Sequence, residues 1–357
     1  MTSIAPEAPT VGATPTDVHS FEITAEEARE LDELLSELTS RHTSSDDPEF
    51  LRSATVIAHQ LPRRLRQHLV DFRLLEPGPG LCLINGYPLS DEGIGSTPEH
   101  WKFRGDSSPT LKEEIFLVLL GQILGECIGW STQQAGYLVH DIFPIAGHEK
   151  EQLGSGSEEL LTWHVEDAFH PARGDYIGLM CMRNPYGVAT TVGHLHGADI
   201  DPEMAEILAQ PRFTIRPDES HLPKNRSEFH EVSPAMARAY ERIERMNTAP
   251  EKIPVLFGDP EAPYLRLDPY FMDPLVDDPE AQAALDYLES LLEERLFDLV
   301  LEAGQVIFID NFKAVHGRRP FKARHDGTDR WLKRVNVTRD LRKSRDLRVA
   351  PESRIIC

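Results

Sequence analysis

The stretch "LTWHVEDAFHP", Leu161 to Pro171, places His164 two residues before Glu166. In an extended segment residues i and i+2 project from the same face, so both side chains could reach one ion. A His-x-Glu alone is a weak signal, because the same pair is more often two polar residues hydrogen-bonded in a strand, and it needs a third donor. His316 is the candidate third donor. It stands 152 residues further on, in "GQVIFIDNFKAVHGRRPF", where an apolar run ends in a turn and a histidine followed by glycine. Fourteen residues later comes Arg330, in "DRWLKRVNV". Two imidazoles and a carboxylate on one face leave metal positions open for other ligands. A nearby arginine suits a dicarboxylate, because its planar fork pairs with a carboxylate through two parallel hydrogen bonds.

Competing constellations are poorer. "GHLHGAD" offers His194, His196 and Asp199, but follows a strand-like segment as a loop and has no further partner at a useful spacing. His170 and His221 lie near candidate segments, where a histidine is more often solvated or hydrogen-bonded than a ligand. The basic stretch "LPRRLRQH" reads as a solvated helix face. The set His164, Glu166 and His316 is the arrangement that suits non-haem Fe(II) oxygenases, and Arg330 adds what a dicarboxylate cosubstrate requires.

These residues need elements to position them. In "ITAEEARELDELLSELTSRH" Thr24 and Glu27 have capping-box spacing and leucines recur at helical intervals, which predicts a helix from about Ala25. "LPRRLRQHLVDFRLL" and the strongly apolar "PTLKEEIFLVLLGQILGECIGW" also read as helices. From about Gly174 the texture becomes β-like: "YIGLMCMR", "VATTVGHL", "FTIRP", "IPVLFG", "YLRLD", "QVIFID" and "RWLKRVNVT", separated by Gly, Pro, Asn and Asp. Two helical segments interrupt these runs, "SPAMARAYERIERMN" and "AQAALDYLESLLEERLFDLVL". Helices do not follow each strand, so the pattern predicts a mainly β, α+β architecture, a sandwich or jelly roll flanked by helices. The expected organisation is a disordered leader over 1–20 and one domain over 21–357. Within that domain the part about 21–130 is helical, and a β core of about 131–345 carries a helical insert.

With 40% hydrophobic and 27% charged residues among 357, the chain is an ordinary globular protein with a large core. Its net charge of −22 argues against nucleic acid or an anionic membrane as partner, since both need clustered Lys and Arg. Cys82, Cys127, Cys181 and Cys357 form no CxxC pair and read as free thiols. The first residues lack the basic and apolar regions of a signal peptide, and no run is long enough for a membrane helix, so a cytoplasmic location is expected.

Beyond these residues, the sequence resembles the clavaminate synthase-like branch of the Fe(II)/2-oxoglutarate oxygenases. Within that branch it is most similar to enzymes acting on free arginine, such as the arginine β-hydroxylase of viomycin biosynthesis. The resemblance runs through "EFLRSATVIAHQLPRRLR", "GSTPEHW", "WSTQQAGYLVHDIFPIAG", "WHVEDAFHPARGDYIGL", "RNPYGVATT", "IRPDESHL", "FIDNFKAVHGRRPF" and "DGTDRWLKRVNVTRDL". It implies a double-stranded β-helix (jelly roll, cupin-like) core, with His164, Glu166 and His316 as ligands of Fe(II). It further implies that Arg330 pairs with the C5 carboxylate of 2-oxoglutarate, helped by a hydroxyl of "VATT", Thr190 or Thr191, of which Thr191 is the chosen candidate. Arg334 would pair with the α-carboxylate of an amino-acid substrate. Gln133 and Asp218 would hold its polar groups beside Glu166, and Asp268 would face a guanidinium. The viomycin enzyme's pattern has a second acid two residues after the first, whereas this chain has Tyr270.

The resemblance therefore implies O2-dependent oxidation of a free basic amino acid, L-arginine hydroxylated at C3, in peptide antibiotic or other specialised metabolism. Dihydroxylation, 4,5-desaturation, and action on enduracididine, homoarginine or lysine stay open. A metal-dependent cupin hydrolase or isomerase would need neither O2 nor Arg330, and a metal-free binding module would need no triad. The oligomeric state is not written in these residues.

Overall fold

The computed structural model describes residues 18–105, 108–226 and 232–357. Of the expected leader, residues 1–17 lie outside the described residues, and a strand begins at His19, inside it.

In chain order the strands are β1 (His19–Glu22), β2 (Leu81–Asn85), β3 (Glu126–Trp130), β4 (His140–Ile142), β5 (Leu161–His164), β6 (Tyr176–Arg183) and β7 (Thr190–His194). They continue with β8 (Leu256–Asp259), β9 (Ala262–Leu265), β10 (Phe297–Leu299), β11 (Val306–Asp310), β12 (Ala314–Arg318), β13 (Trp331–Thr338) and β14 (Ile355–Ile356). The helices are α1 (Ala25–Arg41), α2 (Pro48–Ala58), α3 (Arg63–Leu75), α4 (Asp91–Ile94), α5 (Leu111–Leu124), α6 (Pro202–Leu208), α7 (Pro234–Thr248) and α8 (Pro279–Glu293).

Two sheets face one another as a jelly roll. The larger has the order β1-β2-β11-β6-β13-β3-β14, with β4 on the free part of β13, and the smaller has the order β10-β7-β12-β5. The sequence of β6, "YIGLMCMR", shows why the larger sheet is buried on both sides. Tyr176, Met180 and Met182 enter a core shared with α1, α2, α3 and α5, while Ile177, Leu179 and Cys181 enter the layer between the sheets. β11 divides likewise, Val306 and Phe308 to the helices and Ile307 and Ile309 inward. Each such fully buried aliphatic side chain contributes roughly 1.5–3 kcal/mol. A third core, with Val165, Leu285, Leu288 and Val315, seals the outer face of the smaller sheet beneath α6, α7 and α8.

The capping box forms as expected: Glu27 N donates to Thr24 Oγ1 at 3.3 Å, and Thr24 N to Glu27 Oε2 at 2.9 Å. Two apolar runs expected to stay helical instead change into strands. The run from Leu111 leaves the helix at Gly125, where a Cβ would lie 2.2 Å from Thr338 O, and "ECIGW" pairs with β13. The run ending "FDLVL" leaves α8 and pairs Phe297–Leu299 with β7. "FTIRP" makes only isolated bridges, Phe213 to Ile253 and Ile215 to Met272. β1, β2 and β3 also carry the larger sheet into the part expected to be helical. Among the described residues no helix is long and apolar enough to cross a membrane.

Candidate active site

The smaller sheet brings the sequence-distant histidines together. β12 pairs antiparallel with β5, with His316 directly opposite His164 and the ring centroids 4.7 Å apart. Gly317 allows this approach, because a Cβ there would meet Leu161 O at 2.5 Å. Glu166 follows β5, and its Oε2 lies 3.6 Å from His164 Nε2 and 3.4 Å from His316 Nε2. Donors sharing one ion at about 2.1 Å sit about 3 Å apart, so these three fit a single metal. His164 Nδ1 donates to Thr162 O at 2.7 Å, which leaves Nε2 facing the other donors.

The backbone that carries the carboxylate is fixed from behind. Asn311 accepts from Glu166 N at 2.8 Å and donates to Glu166 O at 2.9 Å and Gly174 O at 3.0 Å. The next residue, Asp167, has φ 51°, a left-handed conformation costly for a residue with a Cβ. Its side chain is held by Trp130 Nε1 at 2.7 Å and His221 Nε2 at 3.0 Å, so a braced corner turns the chain just after Glu166. Burial opposes ionisation of Glu166, but Arg334 and the two histidines outweigh it and hold the carboxyl well below its ordinary range. Burial likewise disfavours a charged His164, yet Glu166 and Asp268 raise its ring to about 9. Burial lowers His316.

The larger sheet faces the triad with alternate residues of β13. Trp331 and Val335 point to the helices, whereas Leu332 lies between the sheets and Arg330 and Arg334 line the cavity. Arg330 is 5% exposed and donates from Nη2 to Thr190 Oγ1 at 3.0 Å. Burial lowers it to about 10. The hydroxyl beside Arg330 thus belongs to Thr190 and not to Thr191, whose side chain emerges on the opposite face of β7 and donates to Asp298 at 3.1 Å. Arg334 ion-pairs with Glu166 Oε1 and donates to His140 Nδ1 at 2.8 Å and Gln133 Oε1 at 3.3 Å.

One cavity of about 200 Å³ is lined by the triad, Arg330, Arg334, Thr190, Gln133, Asp218, Asp268 and Tyr270. Val165 N donates to Leu267 O at 3.0 Å, which draws Asp268 alongside the metal-ligand segment. Burial, with Asp218 adding repulsion, raises Asp268 to about 6. Tyr270 is 55% exposed and packs edge-on against Phe271.

Sequence reasoning missed His140, Asn311 and Arg318, whose side chains line or brace the cavity. The runs "YLVHDIF" and "FIDNF" that contain the first two carried no ligand spacing. Asp167, Asp218 and His221 form a second cluster close enough for an ion. It is internally satisfied, with His221 bonded to Asp167 and, at 2.7 Å, to Thr132. His194, His196 and Asp199 form no such cluster among the described residues.

Residues 120–336, more than half of the chain, match the family described as Taurine catabolism dioxygenase TauD, TfdA family. The L-ornithine/L-arginine 3-hydroxylase of Catenulispora acidiphila is 45% identical over 95% of this chain and 100% of its own length. The enduracididine β-hydroxylase of Streptomyces hygroscopicus is 43% identical over 91% of this chain and 96% of its own. Among solved structures, the non-heme iron oxygenase OrfP with Fe, succinate and (3S)-hydroxy-L-Arg superposes with a TM-score of 0.89 at 44% identity, covering 95% of this chain and 99% of OrfP.

Proposed function

Because this chain belongs to the TauD, TfdA family and is an Fe(II)/2-oxoglutarate-dependent oxygenase, we propose that it hydroxylates free L-arginine at C3. The observation that carries the reading is one cavity with a metal triad between oppositely charged groups. Arg334 pairs with Glu166, Asp268 lies near enough to His164 to act on its charge, and Gln133 reaches Asp218 through Ser220. An amino acid with a cationic side chain complements both signs of charge, its carboxylate toward Arg334 and its guanidinium toward Asp268. The relatives that act on arginine, and the OrfP complex with 3-hydroxy-arginine, support the same choice.

His164, Glu166 and His316 would hold the iron, and Arg330 with Thr190 the distal carboxylate of 2-oxoglutarate. When bound, iron with 2-oxoglutarate and O2 supplies an oxidation in which the oxo acid loses CO2 to become succinate and a C–H bond becomes C–OH. The protein's part is placement. Thr162 fixes the tautomer of His164, and Asn311 and the Asp167 corner fix Glu166. The reading places the enzyme in the cytoplasm, in keeping with its free cysteines. Its product would serve peptide antibiotic or related specialised metabolism.

Incubation with Fe(II), ascorbate, 2-oxoglutarate, O2 and each basic amino acid tests the proposal. Arginine should give succinate and a product heavier by one oxygen, located at C3 by NMR. Succinate formation with lysine or ornithine but not arginine would refute it. Tyr270 favours a second reading, in which a cyclic guanidine such as enduracididine stacks on the aromatic face.

A further inference from the structure

Two residues past His316 lies a second buried guanidinium to which the reading above gives no role. Arg318 closes β12, is 3% exposed and lines the same cavity as Arg330. The β5·β12 register shifts between His316 and Arg318, so Arg318 stands opposite Leu161 and not opposite Thr162. Its Nη1 donates to Gly156 O and its Nη2 to Glu159 O at 3.0 Å, both backbone carbonyls. Its Nε is buried without a partner, as is the Nε of Arg330.

Among the described residues neither guanidinium has a carboxylate within ion-pair distance, and both line one cavity. Two unneutralised cations buried beside one cavity are costly to fold. The arrangement makes sense if an anion offsets both, because in a site shielded from water a charge acts strongly beyond its own hydrogen bonds.

We propose that Arg318 is a positioning residue for the cosubstrate. Its buried charge, acting beside Arg330, sets the affinity for the distal carboxylate of 2-oxoglutarate and the discrimination against 2-oxo acids that lack one. The inference rests on the reading that Arg330 receives that carboxylate. The Nη atoms of Arg318 are engaged by the 156–159 loop, so Arg330 and Thr190 make the contact and Arg318 contributes field and the position of that loop.

The test is anaerobic titration of the Fe(II)-loaded full chain with 2-oxoglutarate and, separately, with 2-oxobutanoate, which has no distal carboxylate, following the visible charge-transfer absorption. Arg318→Gln keeps a neutral amide donor but removes the charge and one arm of the fork, and Arg318→Lys keeps the charge. R318Q should weaken 2-oxoglutarate about 10-fold, R318K less than about 3-fold, and neither should change 2-oxobutanoate. Wild-type affinity in R318Q, or equal weakening of both oxo acids, would overturn the proposal. Should R318Q not fold, R318K decides: a 10-fold loss of 2-oxoglutarate there would show that charge is not what matters. If Arg330→Ala binds 2-oxoglutarate as tightly as wild type, the assignment of Arg330 has failed instead, whatever the Arg318 variants do.

Discussion

The cavity around the metal triad is built by different means at its two ends. At the end of Arg330, Thr190 and Arg318, the side chains come from or directly adjoin β13, β7 and β12, and all are buried. At the other end Gln133, Asp218 and Asp268 each occupy the N-cap of a single 3-10 turn, Gln134–Gly136, Glu219–His221 and Pro269–Phe271. Strands locked between two cores can shift only with the fold, whereas a turn can be exchanged or lengthened at little cost. A cosubstrate common to many oxygenases belongs at the first end, and a substrate that differs among relatives belongs at the second.

The triad serves both ends, so its loss should erase the contrast and have the largest effect. His316→Ala removes one of three protein donors and is expected to abolish the anaerobic charge-transfer band and lower activity by about 10³-fold or more. A band of wild-type intensity would mean that iron sits elsewhere.

Next comes a split between the ends. Arg330→Ala should raise the KM for 2-oxoglutarate by about 10²-fold with little change for arginine, because a buried carboxylate loses the guanidinium it pairs with. Arg334→Ala should do the reverse, raising the KM for arginine by a similar factor. The Arg334–Glu166 ion pair adds a second consequence: iron affinity in Arg334→Ala should also fall, by about 10-fold, the usual effect of removing a group that orients a ligand. Steady-state kinetics in both substrates and an Fe(II) titration measure all three. Equal effects of the two substitutions on both KM values would remove the division of labour.

The same contrast explains what could be read from the amino-acid order. Strand-borne features were legible: the β6, β11 and β13 segments follow from apolar runs bounded by turn residues. The His-x-Glu pair was found for a reason that holds only in part, since His164 closes β5 and Glu166 sits in the turn beyond it, where the Asp167 corner and not strand alternation aims its carboxylate. Parity within "VATT" was not legible. Adjacent threonines point to opposite faces, and only the pairing of β7 with β12 decides that Thr190 meets Arg330. Nor could an apolar run reveal that α5 stops at Gly125, since a buried helix and a buried strand share that composition; the stop comes from Thr338 packing against the glycine. Buried partners such as His140 and Arg318 carry no local spacing at all, because what identifies them is the charge or carbonyl that the fold brings near.

Acidity should also probe the amino-acid end. With its carboxyl raised to about 6 by burial and by Asp218, Asp268 is ionised above that pH and neutral below it. A cationic substrate needs the ionised form, so kcat/KM for arginine is expected to fall as pH drops through about 6, approaching 10-fold per unit below it. Asp268→Asn should remove this limb from the pH profile and weaken the preference for arginine over citrulline, which has no charge to pair. A profile unchanged in Asp268→Asn would mean that another group reads the side chain.

The smallest expected effect lies at the outermost residue. Tyr270 follows Asp268 by two positions, lines the cavity and is 55% exposed, packed edge-on against Phe271. Tyr270→Asp would supply the second acid that the viomycin-type pattern carries. At so exposed a position water screens the new charge, and an ion pair there contributes about 0.2–1 kcal/mol, so the KM for arginine should fall by no more than about 5-fold. Loss of the aromatic face should act oppositely on a ring-shaped guanidine, raising the KM for enduracididine by a comparable factor. The ratio of the two kcat/KM values in wild type and Tyr270→Asp is therefore more informative than either alone, because a general disturbance of the turn would move both in the same direction. If the ratio does not shift toward arginine, Tyr270 is a packing residue of the Pro269–Phe271 turn, and selection between open and cyclic guanidines rests deeper, with Asp218 and Asp268.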